Sequence, residues 1–190
     1  MIGDAASAGV DMIQVRERDL SAREMTEIAR DAARAVEGTR VRLFVNDRFD
    51  VAIAAGAEGV HLTTRSLEAD VVRRCTGERL ALGVSTHTID EVRAAEAAGA
   101  EFVVYGPIFD TPSKRGFGDP VGLDALARVT SSRRIPVLAL GGIDADNAYQ
   151  AMAAGAAGIA AIRLFQQAWI EGGGAGLEAL VARLRIGRKQ

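Results

Sequence analysis

Four stretches of the chain repeat one pattern: alanines at helical spacing, a glycine, then a run of apolar and β-branched residues. They are AASAGVDMIQV at 5–15, AIAAGAEGVHL at 52–62, AEAAGAEFVVY at 95–105 and AMAAGAAGIAA at 151–161. Gly9, Gly56, Gly99 and Gly155 fall where a helix C-cap belongs, so each unit predicts helix, tight turn, strand. Further apolar runs at 42–45 (RLFV), 80–84 (LALGV) and 135–140 (IPVLAL) are each followed by polar residues and another amphipathic pattern, such as Ile89 to Ala98.

Strands that are apolar throughout belong to parallel sheets covered on both faces. Their regular alternation with helices, in a unit recurring at about 45 residues, predicts a (β/α)8 TIM barrel, with a doubly wound open sheet as the competing arrangement. The pattern supplies seven strands: Met12–Arg16, Arg42–Val45, Gly59–His61, Leu80–Val84, Phe102–Tyr105, Pro136–Leu140 and Gly158–Ala161. A closed barrel of this kind has eight. The first eleven residues read as the last turns of a helix, so the expected fold is a (β/α)8 barrel lacking its first strand, with residues 1–190 forming one domain. The exposed edges of such a sheet predict either a covering helix or a second copy of the chain, a homo-oligomer. GGGAG at 172–176 predicts a loop ahead of a final amphipathic helix, roughly Leu177 to Leu184.

Composition narrows the class. With 190 residues and 48% hydrophobic content the chain can build a sizeable core, while a net charge of −2 provides no basic field for nucleic acid. No stretch reaches the roughly 18 apolar residues of a membrane helix, and the first residues lack a basic segment followed by an apolar one. Cys75 is the only cysteine, which excludes an internal disulfide and a cysteine-based metal cluster and fits a reducing cytoplasm.

Barrel chemistry gathers at the carboxyl ends of the strands, and these ends are rich in charge. The first strand runs into QVRER, where alternation brings Gln14, Arg16 and Arg18 toward one mouth; a surface ion-pair strand with Glu17 is the plainer alternative. The second ends in Asn46–Asp47, a carboxylate that could hold Mg²⁺ beside a phosphate or simply cap the next helix. Thr63, Thr64 and Arg65 follow GVHL, and Ser85, Thr86 and His87 follow ALGV; the hydroxyls suit helix caps, and both histidines, His61 and His87, read as packed structural residues.

The most specific piece is GPIFDTPSKRGFG at 106–118. Thr111, Ser113 and Lys114 put hydroxyls and an ammonium group at a strand's carboxyl end, which suits a phosphate cradle, against the alternative of an exposed loop. Gly141–Gly142 after the next strand lets backbone approach a ligand closely, and Arg163 could clamp the same anion.

Taken in order, QVRER, FVND, GVHL, LGVSTH, GPIFDTPSK, PVLALGGI and GIAA, over about residues 9 to 166, resemble the thiamine phosphate synthase family, including its thiazole tautomerase-like branch. The resemblance implies a (β/α)8 barrel that joins hydroxymethylpyrimidine diphosphate to thiazole phosphate and releases pyrophosphate with the help of Mg²⁺. It implies that Gln14, Arg16 and Arg18 occupy the family's diphosphate-binding Gln-x-Arg-x-Lys positions, with arginine in place of the lysine. Asn46 and Asp47 then match the Asn-Asp pair, with Asp47 the metal ligand; Ser85 matches a phosphate-binding serine; Thr111, Ser113 and Lys114 match the Thr-x-Thr-Lys loop; and Gly141 and Gly142 match the thiazole-phosphate glycines. Arg16, Arg18 and Lys114 would stabilise the departing pyrophosphate, with Gln14, Asn46, Ser85, Thr111, Ser113, Gly141, Gly142 and Arg163 binding substrate.

Three positions depart from the family pattern. Arg65, flanked by Thr64 and Ser66, stands where the family has a second Mg²⁺-binding aspartate, and Arg163 stands where it has a serine. Pro107 stands where the tautomerase-like branch has its catalytic histidine, and proline cannot transfer a proton. The alternatives to a synthase are therefore a thiazole tautomerase-like enzyme or a non-catalytic protein that binds thiamine phosphate or phosphate.

Overall fold

A computed structural model describes residues 1–111 and 119–186. Among these residues seven strands form one parallel sheet in the order of the sequence: β1 (Met12–Val15), β2 (Arg42–Asn46), β3 (Gly59–Leu62), β4 (Ala81–Thr86), β5 (Phe102–Tyr105), β6 (Val137–Leu140) and β7 (Gly158–Ala160). Helices α1 (Ile2–Ser7), α2 (Ala22–Val36), α3 (Phe49–Ala55), α4 (Ala69–Thr76), α5 (Ile89–Ala97), α6 (Gly122–Ser132), α7 (Ala148–Ala153) and α8 (Arg163–Ile186) alternate with the strands. The sheet curls as a TIM-like barrel does, and the strands lie within one or two residues of the spans the apolar runs predict.

The repeat has the expected local cause. Gly9, Gly56, Gly99 and Gly155 all take left-handed backbone (φ 86°, 71°, 79° and 90°), so each helix ends in a conformation that a side chain would strain, and the next strand starts three residues later. At its other end α2 is fixed by a capping box: the Ser21 side chain accepts from the Glu24 amide and the Glu24 carboxylate accepts from the Ser21 amide.

Register sorts the strand residues onto two faces. Val15, Leu43, Val45, Val60, Leu62 and Leu82 pack outward against α2, α3 and α4, and Val103, Tyr105, Val137 and Ala139 pack outward in the second half. Facing inward are Phe44, Ala81, Phe102 and Val104, with Leu138, Leu140 and Ala160 against them. Phe44 and Phe102 meet edge to face with ring centroids 5.1 Å apart. Two glycines make room for these rings: a Cβ on Gly59 would lie 2.3 Å from Phe44 Cε1, and one on Gly83 would lie 2.3 Å from Phe102 Cζ.

Strands β1 and β7 are not hydrogen-bonded to each other among the described residues. The outer layer closes where the sheet does not, because α1 packs against α8. Trp169 Nε1 donates to Asp4 Oδ2 at 2.8 Å, Arg185 donates to the Gly9 carbonyl at 2.6 Å, and Arg185 lies 3.6 Å from Asp11. A helix therefore covers this seam. Residues 172–176 differ from the expected loop: helix runs from Arg163 onward and is interrupted only by a kink at Gly173 (φ 57°, ψ −140°), so one glycine does the work assigned to a five-residue loop.

Candidate functional site

The inward face changes character at the carboxyl ends of the strands. Above the aromatic floor the same alternation that aims Phe44 inward aims Asn46 inward, that of Gly59 aims His61, and that of Gly83 aims Ser85. Gln14 reaches across β2, and its amide nitrogen bonds His61 Nδ1; on the other side of the ring, His61 Nε2 lies 3.3 Å from Ser85 Oγ. The imidazole lies over Phe102 with ring centroids 6.2 Å apart and planes 20° from parallel. Burial, and secondarily the charge of Arg16, pushes the His61 pKa from 6.5 down to about 4, so at neutral pH the ring is uncharged.

Arg16 and Arg18 sit beside this row. Their guanidinium groups are close enough for the charge of Arg18 to add to desolvation in holding Arg16 below the ordinary arginine pKa. Neither forms an ion pair among the described residues, so the alternative of a surface pair with Glu17 is not what the chain builds.

Asn46 and Asp47 form the turn out of β2. Asp47 has φ 65°, unusual for a residue with a side chain, and its amide donates to the His61 carbonyl at 2.9 Å, tying the turn to β3. Helix capping does not explain the pair, since the N-cap of α3 is Arg48 and no side chain caps that helix. The Asn46 side-chain oxygen is buried without a hydrogen-bond partner among the described residues, and Asp47 is exposed. Among the described residues no three His, Cys, Asp or Glu side chains cluster as a metal cage.

The hydroxyls next to GVHL and ALGV do not cap helices either: Thr63 and Ser85 bond other side chains, and the buried Thr86 hydroxyl has no hydrogen-bond partner among the described residues. Thr63 and Ser66 bond each other across a turn that carries Arg65 on the surface, and the caps of α4 and α5 are Glu68 and Thr88. His87 donates from a ring nitrogen toward the Gly106 carbonyl, and its amide donates to Glu91 Oε2 at 2.5 Å, which fixes the root of the loop beyond β5.

That loop is held on its far side by the glycine pair. Gly141 and Gly142 have φ 98° and 64°, and a Cβ on either would fall 2.5 Å from Pro107 Cβ or from the Asp110 carbonyl oxygen, respectively. The close approach they permit is thus first of all to the backbone of 107–110, confirmed by the Ile108 amide to the Leu140 carbonyl at 2.8 Å and the Phe109 amide to the Gly141 carbonyl at 3.0 Å. Thr111 is 5% exposed, and its hydroxyl accepts from Arg163 Nη2 at 3.1 Å, so the start of α8 is joined to this loop. Ser113 and Lys114 lie outside the described residues.

Of the residues expected from sequence, those described stand at or just beyond the carboxyl ends of the strands: Gln14 is joined to Ser85 through His61, Arg16 lies within electrostatic reach of Arg18, and Thr111 is joined to Arg163, while Asp47 is exposed and Gly141–Gly142 pack against 107–110. His61 is the residue sequence reasoning passed over. The signal was its neighbours: Val60 and Leu62 face the helices, so the residue between them must face the barrel interior.

A family model for thiamine monophosphate synthase matches residues 1–165. A relative from Geobacter sulfurreducens is 46% identical over 162 residues, 85% of this chain and 76% of its own. The thiamine-phosphate synthase of Moorella thermoacetica is 40% identical over 162 residues, again 85% of this chain and 77% of that one. The solved structure of a thiamine phosphate pyrophosphorylase from Pyrococcus furiosus superposes with a TM-score of 0.88 at 31% identity, covering 98% of this chain and 88% of that one.

Proposed function

Since the chain belongs to the thiamine monophosphate synthase family, we propose that it joins hydroxymethylpyrimidine diphosphate to thiazole phosphate and releases pyrophosphate. The observation that carries this reading is the cation pair Arg16–Arg18, mutually repelling and, among the described residues, without a carboxylate partner, with Arg16 partly desolvated beside a row of neutral hydrogen-bonding groups. An anion with several oxygens is the ligand such a mouth favours.

As the bond between the pyrimidine methylene and the diphosphate breaks, negative charge builds on the leaving group and positive charge on the methylene carbon, which the thiazole nitrogen then attacks. No protein nucleophile is needed. In this reading Arg16, Arg18 and Lys114 stabilise the departing charge, and preorganised donors of this kind supply most of the rate in such reactions. Gln14, Asn46 and Ser85 orient the pyrimidine diphosphate. Thr111, Ser113, the Gly141–Gly142 backbone and Arg163 hold the thiazole phosphate opposite.

Mg²⁺ fits these residues as an ion that arrives with substrate. It uses one or two carboxylates together with substrate phosphates, and Asp47 supplies one carboxylate while the neighbouring Asn46 oxygen is buried and, among the described residues, unpartnered. When bound, the ion would neutralise charge on the diphosphate. The protein's contribution is to fix Asp47 through its bond to β3 and to present Arg65 where a second carboxylate would otherwise stand. Arg65 also favours a second reading, a protein that binds thiamine phosphate or phosphate without turnover. In either case the reading places the protein in the cytoplasm, where the exposed Cys75 thiol stays reduced.

The test is to incubate the protein with both precursors at millimolar Mg²⁺ and measure thiamine phosphate and pyrophosphate. Both products should form in equal amounts. Asp47→Ala should lower the rate by about a hundredfold or more, the scale of lost metal-assisted charge stabilisation. Arg65→Asp should raise it. No product from either the wild type or Arg65→Asp would leave the binding protein as the better reading.

A further inference from the structure

We propose that His61 is a positioning residue whose imidazole carries its proton on Nε2, so that it accepts from Gln14, donates to Ser85, and leaves the Ser85 hydroxyl proton to face a phosphate oxygen of the substrate. The inference rests on the reading that Ser85 contacts the diphosphate.

The wiring follows from the inventory of donors. Gln14 presents its amide nitrogen, which can only donate, to His61 Nδ1. Nδ1 must then offer a lone pair, and in a neutral ring the proton resides on Nε2. The group facing Nε2 is Ser85 Oγ at 3.3 Å, which therefore accepts. A hydroxyl that accepts here still has its own proton to place. The reverse wiring turns the Gln14 amide around, puts the ring proton on Nδ1 and spends the Ser85 proton on Nε2. Ser85 would then show only lone pairs to the mouth, which is the wrong polarity for an anion held by Arg16 and Arg18.

The ring is built to keep one orientation. Phe102 supports its face, Gly83 leaves space for Phe102, and the His61 carbonyl is held by the Asp47 amide at 2.9 Å. Nothing in this arrangement asks His61 to touch substrate or to exchange a proton during turnover; its effect passes through Ser85 and Gln14.

Nitrogen NMR of the histidine-labelled full chain at neutral pH, free and with pyrophosphate, reads the tautomer directly. The expected His61 spectrum has a protonated Nε2 and a bare Nδ1 in both states. Kinetics test the consequence: His61→Phe keeps the stack on Phe102 and deletes both bonds, and should raise KM for the pyrimidine diphosphate about tenfold, the worth of a hydrogen bond to a charged group. In a Ser85→Ala background the same substitution should raise KM by clearly less than tenfold, because one of the two bonds it acts through is already gone and only the one to Gln14 remains to be lost. Should His61→Phe fail to fold, Ser85→Ala alone must shift the Nε2 resonance and weaken pyrophosphate binding measured by calorimetry. A proton on Nδ1, a doubly protonated ring, or equal effects of His61→Phe in both backgrounds would overturn the proposal. The spectrum requires no turnover, so failure of the synthase reading and failure of this wiring are separate results.

Discussion

Acid should destabilise this protein through His61 before it does so through the carboxylates. In the folded chain the imidazole has a pKa of about 4, against 6.5 in the unfolded chain, because burial disfavours the imidazolium and Arg16 repels it. The sign is fixed by proton counting. Between these two values the unfolded chain binds the proton and the folded chain does not, so stability is complete above pH 6.5, falls as the pH drops through the window, and stops falling below about 4. A difference of this size corresponds to at most about 3 kcal/mol, of which about 2 kcal/mol is lost by pH 5. Asp4, Glu24, Asp50 and Asp70 have pKa values below the ordinary carboxylate range, so their stabilising contributions are lost at lower pH. Denaturant unfolding followed by circular dichroism at pH 5 and pH 7.5, for the wild type and for His61→Gln, isolates the effect. His61→Gln should be the less stable protein at pH 7.5, and that deficit should shrink by about 2 kcal/mol at pH 5. Parallel losses in the two proteins would mean that the ring is not desolvated in the folded state and would refute the reasoning.

Gly83→Ala should cost about 1–3 kcal/mol in a thermal melt, since its Cβ would fall 2.3 Å from Phe102 and displace the ring under His61, whereas Gly172→Ala, with nothing within 4 Å, should be nearly neutral. Trp169→Phe removes the indole bond to Asp4 at the α1–α8 contact and should speed amide exchange across residues 2–8 while leaving exchange in β3 and β4 unchanged.

The barrel was legible because its signals are local. Alanine-rich helix ends, a left-handed glycine and an apolar strand follow one another within about a dozen residues, and backbone sterics at Gly9, Gly56, Gly99 and Gly155 impose that order whatever surrounds them. What could not be read locally was the partner of each side chain. Gly-Val-His-Leu reads as a buried strand with an incidental histidine; that His61 lies between Gln14 and Ser85 depends on a reach of 47 residues in one direction and 24 in the other. Gly141–Gly142 likewise reads as a place for a ligand, and only the fold reveals that the backbone of Pro107 to Asp110 packs there first. Residues 172–176 misled because composition alone does not say which of several glycines turns left-handed; Gly173 does, and the helix resumes after it.

The arginines of the chain show how Arg16 differs from an ordinary surface charge. Arg34, Arg42, Arg48, Arg74 and Arg93 each lie within 4 Å of a carboxylate, on the surface, where such pairs add little stability but cost little to form. Some arginines elsewhere also lack a carboxylate, so absence of a pair is not by itself a sign of function. Arg16 differs in kind: it is desolvated, and its nearest strong electrostatic influence is another cation, Arg18. Both effects destabilise the empty protein, and a chain under no constraint but stability would place a carboxylate between them. An anion bound at this mouth would relieve the repulsion and restore solvation-like contacts to Arg16, so the free energy withheld from the empty fold would reappear as ligand affinity. Pyrophosphate should therefore raise the melting temperature of the wild type, and this gain should be smaller in Arg18→Ala, where there is less repulsion to relieve.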